Sequence, residues 1–389
     1  MEAQRQGPHN KANKTMQARH ISPRVPKQPL RNQIFALLAA NALAAGLLHS
    51  ETCITQSQMK PVERDAIAAT ARSLAAIIQS GDANALRQQT VPEYAKDFSG
   101  MSSLVGNTAP KLKATTLQVE QVYVLDASML KTLNDGTNQD AQFFCNLNKS
   151  PAEANFLIPS LPPGRYAFAM VTAANTKTPW RLSFLLKQNA VPAGQEGTWS
   201  MAGFYPKPLT SAGHDGIWYW TNARDMAKGK QLWTAYLYYK QAQALLQPAG
   251  FVTSTHFDKL QKEATTAAPP SLSDGVSADA PLVIKNPNAK GSVPDFRFTD
   301  LSTDDSFGAS QPDIVAHLAP DPTPDPSPNA TKPDPKAPVL SPRERNLSAM
   351  AALLTAYPEL RNSFHGVWIF ADAPGKNSFV TEEPMANIH

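Results

Sequence analysis

The chain has 389 residues, with 36 Lys and Arg against 32 Asp and Glu, and a formal net charge of +4. The basic excess lies in residues 1–50, which hold seven Lys or Arg and one acidic residue, so 29 basic and 31 acidic residues remain beyond them. Net charge therefore gives no reason to predict nucleic-acid binding, because such proteins cluster basic side chains on the surface that meets the phosphates.

The stretch Arg31–Ser50 (RNQIFALLAANALAAGLLHS) has the pattern of a secretory signal. Basic residues precede the apolar run Ile34–Leu48, which is shorter than the ~20 apolar residues of a membrane-spanning helix. We expect residues 1–50 to be a signal peptide cleaved near Ser50, with Met16 as a candidate start. An uncleaved N-terminal anchor is the alternative, and the membrane is then a partner through this segment alone. The predicted location is the periplasm or outside the cell.

Two cysteines, Cys53 and Cys145, follow the leader. In an oxidising compartment this pair is able to form one disulfide, which would close a long loop. Two unrelated free thiols are the alternative, and the sequence leaves both open.

Residues 51–209 predict an α+β domain. Apolar side chains recur at helical spacing in Pro61–Gln79, and Gly81 is suited to end that helix in the left-handed conformation. Asp82 can then cap a short second helix, Ala83–Gln89.

After an irregular or weakly helical stretch, Val91–Leu112, the apolar period changes to two, which indicates β-strands. A slip in the pattern near Gln121 suggests a bulge. In Arg165–Ala173 large residues alternate with small ones, so we expect the large face in the core and the small face against another element. The predicted strands are Leu117–Leu125, Gln142–Leu147, Ala154–Ile158, Arg165–Ala173, Arg181–Lys187 and Thr198–Tyr205. N-terminal helices packed on such an antiparallel sheet make an α+β fold.

The rest of the chain divides by composition into three segments. Residues 210–266 predict an aromatic-rich helical segment, 267–342 a Pro-rich linker with possible short strands, and 343–389 a C-terminal helix and strand. Pro320–Pro342 favours extended polyproline II and could reach roughly 70 Å. The predicted elements are helices over Ile217–Lys228, Lys230–Gln247, Thr255–Glu263 and Arg343–Ala356, and strands over Leu282–Ile284, Phe296–Phe298, Ile314–Leu318 and Gly366–Ala371.

The segment Glu63–Phe98, with IIQSGDANAL at its centre, resembles the start of NTF2-like domains. In that family a helix, the pattern S-G-D-x-x-A-L and later strands belong to a cone-shaped α+β fold whose sheet wraps a pocket. The resemblance covers residues 63–205 and implies that the strands from Leu117 to Tyr205 line a pocket. The chain departs from the family in its Pro-rich turns and in having no evident acid–base pair.

A second segment, Gly229–Pro248, is similar to the second helix of a tetratricopeptide repeat, with Trp218–Ala227 as its partner helix. The residues that carry this resemblance are Ala235, Tyr239 and Ala242. No second copy follows at the period of about 34 residues, and a lone repeat cannot bury its face by stacking. An aromatic-rich helical hairpin that caps the sheet domain is the alternative.

The ending YPELR…FHGVWIFADAPG…FVTEEPM, together with these segments, is similar to exported bacterial proteins of unknown function. That resemblance implies export and carries no activity with it.

The sequence contains no nucleotide-binding glycine motif, no H-E-x-x-H and no G-x-S-x-G, and its histidines lack metal-ligand spacing. We therefore predict no metal and no cofactor. His214 beside Asp215 could act as a general base, although the favoured interpretation is that Asp215 caps a helix and His214 is solvated. Asp126 could lie at a pocket mouth or in a turn, and the aromatic residues could stack on a flat ligand or a sugar, or pack in the core. The candidate pocket residues are Asp126, Tyr205, His214, Trp218, Trp233 and Tyr236.

The alternation in Val367, Trp368, Ile369 and Phe370 predicts a strand that adds to a sheet edge, in cis on this chain or in trans on a partner. The sequence thus favours an exported cell-envelope binding or scaffold protein, whose partner is an envelope protein or a small ligand and not a nucleic acid. The alternative is a small-molecule-binding NTF2-like domain with isomerase- or cyclase-type activity, although an enzyme is the less favoured interpretation.

Overall fold

A computed structural model describes residues 51–146, 153–190, 197–286, 295–305, 310–320, 340–372 and 377–389. The predicted signal peptide, 1–50, and nearly all of the predicted polyproline II stretch lie outside these residues. The described residues belong to one compact unit. Among them, no helix combines the length and the apolar content needed to cross a membrane.

The N-terminal half has a five-stranded antiparallel sheet, here the first sheet, in the order β1-β2-β5-β6-β7. The hairpin β3–β4 belongs to a second, three-stranded sheet. The elements are β1 (Thr52–Thr55), α1 (Pro61–Ser80), α2 (Ala83–Gln88), α3 (Pro92–Ala95), α4 (Ser99–Thr108), β2 (Thr116–Asp126), β3 (Ala141–Asn146), β4 (Glu153–Ile158), β5 (Arg165–Ala174), β6 (Trp180–Gln188) and β7 (Trp199–Pro208).

The predicted helices α1 and α2 are confirmed, with the same first residues and with ends that differ by one residue. Gly81 adopts φ 78° and its N–H bonds to the Ile78 carbonyl, which ends α1 in a conformation that glycine favours. The Asp82 carboxylate accepts a hydrogen bond from the Ala85 N–H at 2.9 Å and so caps α2. The predicted bulge is also present, because pairing with β5 slips between Val119 and Gln121.

Both faces of the first sheet are covered. The small residues of β5, such as Ala167 and Ala169, lie on the face that packs against α1. The large residues Tyr166 and Phe168 lie on the opposite face, against the second sheet. The predicted alternation therefore holds, and the helix is the element that meets the small face.

The second sheet is covalently joined to the first. Cys53 in β1 and Cys145 in β3 form a disulfide, with their Cα atoms 5.3 Å apart and a sequence separation of 92. Its three strands run in the order β10-β4-β3, where β10 (Val252–Ser254) comes from much later in the chain.

The C-terminal half is built on a third, five-stranded sheet in the order β11-β12-β13-β14-β15. Strands β13 and β14 are parallel, and α8 connects them. The elements are β8 (Thr210–Ser211), β9 (His214–Asp215), α5 (Gly216–Lys228), α6 (Leu232–Leu246), α7 (Thr255–Thr266), β11 (Leu282–Ile284), β12 (Phe296–Asp304), β13 (Asp313–Leu318), α8 (Pro342–Ala356), β14 (Gly366–Ala371) and β15 (Phe379–Pro384).

The three predicted C-terminal segments contribute to one core. One face of the third sheet, including Phe298, Ala316 and Ile369, is buried with side chains of α5, α6 and α8. The aromatic hairpin α5–α6 therefore covers this sheet. The fold as described is mixed α/β with several antiparallel sheets, none of them closed on itself.

One prediction about the C-terminal region needs correction. The strand that holds Val367, Trp368, Ile369 and Phe370 is not an edge strand, because β14 is hydrogen-bonded to β13 on one side and to β15 on the other. The strands on the two sides of the Pro-rich stretch belong to the same sheet, because β13 pairs with β14.

Candidate functional site

The structure disperses the six candidate pocket residues. Asp126 ends β2, accepts a hydrogen bond from the Ser128 N–H at 3.0 Å and lies 3.9 Å from Arg165, as a turn residue does. The His214 ring stacks on Trp218 with centroids 3.7 Å apart, and the Asp215 carboxylate caps α5 at the Trp218 N–H, 2.8 Å away.

The other aromatic candidates lie in two further places. Trp233 is buried in the C-terminal core, where its ring lies 5.5 Å from Tyr236 and its Nε1–H donates to the Ser271 hydroxyl at 3.2 Å. Tyr205 lies apart from these residues, packed on Phe251 at 5.2 Å, and it alone of the six lines the groove described next.

A groove of about 480 Å³ runs along β7, an edge strand of the first sheet. One wall is the strand itself, from Met201 to Tyr205, and the other is formed by α3, α4 and their connection. The residues that line this β7 groove are Thr90, Glu93, Tyr94, Asp97, Phe98, Gly100, Met101, Met201, Ala202, Gly203, Phe204 and Tyr205.

The backbone of the helical wall is hydrogen-bonded to the strand at Met201. The Met201 N–H donates to the Gln89 carbonyl at 2.8 Å, and the Val91 N–H donates to the Met201 carbonyl at 2.9 Å. Pro92 then begins α3, a position that suits a residue without an N–H, and the chain leaves the strand. Among the described residues, the backbone of Ala202–Tyr205 has no hydrogen-bond partner on this open side.

A bulge and a glycine shape the strand wall. Leu186 pairs with Met201 and Leu185 pairs with Gly203, so Ala202 is an extra residue on β7. A Cβ atom on Gly203 would lie 2.7 Å from the Tyr205 hydroxyl oxygen. The absence of a side chain at Gly203 therefore lets the phenol ring lie across the strand.

The floor of the groove is fixed by packing. Phe98, Met201 and Phe204 are buried in the core between the first sheet and its helices. The Phe204 ring stacks on Phe184 with centroids 5.3 Å apart. The apolar surface is therefore present before any ligand arrives, as is usual for binding sites.

The charged side chains that line the groove are both acidic. Glu93 accepts a hydrogen bond from Lys187 at 3.0 Å, and its pKa is lowered chiefly by a backbone hydrogen bond and then by Lys187. Asp97 accepts hydrogen bonds from the N–H and hydroxyl of Ser99, both through Oδ1. Burial raises the pKa of Tyr205, so its hydroxyl remains neutral and able to donate.

Three further clefts, of about 350, 450 and 530 Å³, open on described residues. Two of them meet at Arg165, whose guanidinium is paired with Glu63 at 2.5 Å. Because the charge of Arg165 is already paired, it has less to offer a ligand. These two clefts are therefore weaker candidates than the β7 groove. Neither Asp126 nor His214 lines any of the four.

Sequence reasoning missed two His–Asp pairs that flank the parallel strands. His317 Nδ1 lies 3.3 Å from both carboxylate oxygens of Asp372, and His365 Nδ1 lies 3.1 Å from Asp313. Ser378 donates to Asp372 and not to the imidazole, which differs from the order of a Ser–His–Asp triad. The partners lie 55 and 52 residues apart, so no local pattern signals them.

No group of three or more His, Cys, Asp or Glu within the described ranges is arranged to hold a metal ion. The β7 groove offers phenol, carboxylate and backbone groups, which suit recognition of a ligand. Comparisons with protein-family models, with curated proteins and with solved structures found no match.

Proposed function

We propose that this chain is an exported binding protein whose ligand lies in the β7 groove. The observation that carries the proposal is the combination, in one preformed groove, of aromatic rings, the exposed Asp97 carboxylate and the edge Ala202–Tyr205, which has no backbone partner among the described residues. Export is supported by the signal-like leader and by the Cys53–Cys145 disulfide, because such bonds persist in oxidising compartments.

The alternative, an NTF2-like enzyme with isomerase- or cyclase-type activity, has less support. It requires a buried pocket that contains Asp126 or His214, and neither lines the four clefts above. The space between α1 and the first sheet, where such a cone would enclose ligand, holds packed side chains such as Ile67 and Leu74.

Native mass spectrometry of the chain purified from its own envelope fraction tests the proposal. We expect a bound mass on the wild type and its loss from the double variant Tyr94→Ala, Asp97→Asn. The intact mass also tests export, because a chain cleaved near Ser50 lacks residues 1–50.

The matched control is the double variant Phe379→Ala, Asp225→Asn. Phe379 is 46% exposed and Tyr94 is 47% exposed, and Asp225 is an exposed carboxylate in α5. A bound mass that survives in the groove variant, or that is lost equally from the control, contradicts the assignment of the site. A few hundred daltons would indicate a small ligand, and a larger mass a polypeptide.

A further inference from the structure

We propose that the β7 groove takes an extended peptide segment that bears a Lys or Arg side chain and adds a sixth strand to the first sheet. This inference rests on the proposed function, since it names the class of ligand for the same groove. Its support comes from the strand edge, from the presence of both buried and exposed residues on the helical wall, and from the charge of the lining.

The strand edge supplies backbone groups in a defined window. Pairing with Gln89 and Val91 ends at Met201, and Pro206, which lacks an N–H, follows Tyr205. The stretch Ala202–Tyr205 therefore offers about 13 Å of edge. Addition of a peptide strand to such an edge is a general mode of recognition, in which backbone hydrogen bonds supply affinity.

The helical wall supplies contacts for alternate side chains of the peptide. In an extended peptide, every second side chain points the same way. The peptide side chains that point toward the core meet Phe98, which is buried, and Met101, which is half-buried. Those that point outward meet Tyr94 and Asp97, both exposed. The wall therefore distinguishes an apolar set of peptide residues from a polar set.

The charge of the lining selects a basic side chain in the polar set. Asp97 can pair with a guanidinium or ammonium group, and the Tyr94 ring offers a face for a cation–π contact. A second copy of this chain is a poorer occupant, because edge-to-edge pairing of two β7 strands would bring two Asp97 carboxylates together. Charge thus favours a heterologous basic peptide over self-association.

Selection from a displayed random nonapeptide library on the immobilised full chain tests the inference. We expect enriched peptides with β-branched or apolar residues at alternate positions and one Lys or Arg, with micromolar affinity as for small interfaces. Fluorescence anisotropy on the best peptide should show about tenfold weaker binding to Asp97→Asn and about threefold weaker binding to Tyr94→Ala. Phe379→Ala and Asp225→Asn should bind as the wild type does.

N-methylation of the peptide amides tests strand addition without altering the protein. Methyl groups on one alternate set of amides should abolish binding, and those on the other set should be tolerated, because only every second N–H of the peptide faces β7. Equal tolerance of both sets, or peptides with no basic preference, would overturn the inference.

Other outcomes separate this inference from the proposed function. If no peptide is selected but native mass spectrometry finds a small ligand that the groove variant loses, the binding function stands and the peptide inference fails. A concentration-dependent dimer that Tyr94→Ala disrupts would overturn the inference in favour of self-association. If neither peptide nor ligand depends on the groove, both proposals fail.

Discussion

The first and third sheets have the same number of strands, but they differ in how the chain reaches them. In the first sheet, β5, β6 and β7 are successive hairpin neighbours, and both faces are covered. In the third, the parallel strands β13 and β14 are joined through α8, and only one face is buried with the helices. The comparison shows that strand periodicity identifies most of the strands in both sheets, whereas the order of strands is evident only where connections are short.

The largest expected effect comes from removal of residues 343–389. This deletion takes α8, β14 and β15 from the third sheet and exposes core residues such as Phe298 and Ile314. We expect the melting temperature measured by circular dichroism to fall by more than about 10 °C, because the loss greatly exceeds that of a single side chain. An unchanged melting temperature would show that residues 343–389 contribute nothing to the measured stability.

Removal of the disulfide, which joins the first two sheets, should produce the next largest loss of stability. The double variant Cys53→Ser, Cys145→Ser releases a loop of 92 residues, which the chain-entropy model values at about 4–5 kcal/mol in the free energy of unfolding. Urea titration followed by tryptophan fluorescence measures the difference. As a control, alkylation of the unreduced, denatured wild type should attach no label, and incorporation of two labels would contradict the pairing.

The smallest expected effect concerns Glu263, which joins α7 to α5 through Arg224 at 2.6 Å. Hydrogen bonds from Arg224 are the main reason that the pKa of Glu263 lies below 4.5. The resulting stabilisation is present above the ordinary carboxyl pKa and is lost as the pH falls through the lowered value. Because both side chains are partly exposed, we expect less than about 1 kcal/mol.

Melting temperatures of the wild type and Glu263→Gln between about pH 6 and about pH 3 check this expectation. The two curves should differ at the upper end and converge at the lower end. A constant difference across the range would mean that the Arg224 pairing does not depend on the charge of Glu263.

Much of the first sheet could be predicted from the sequence, because its signals are local. Gly81 and Asp82 mark helix ends by their own conformational and hydrogen-bonding preferences, and the bulge near Gln121 breaks a period of two within one strand. Strand β15 was missed because its charged residues, Glu382 and Glu383, hide the pattern of a strand at the edge of a sheet.

The groove was missed because its helical wall lies in a stretch, Val91–Leu112, whose pattern is irregular or only weakly helical. Tyr94, Phe98 and Met101 recur at spacings of four and three, which is a helical stripe and the one available signal. The pairing of this wall with Met201 lies more than 100 positions away in the chain, and no local pattern specifies it. The single candidate that the sequence did place in the groove, Tyr205, came from the predicted strand and not from a motif.

The disulfide has a consequence for how the chain matures. With two cysteines in the whole sequence, intramolecular oxidation has a single possible product, so there are no mispaired isomers of one chain to reshuffle. Cys53 is synthesised well before Cys145. Until Cys145 is available, the competing reaction of the Cys53 thiol is the formation of mixed disulfides with other molecules. The maturation of this protein therefore calls for an oxidant at the right time and protection from early cross-linking, and not for an isomerase that corrects its pairing.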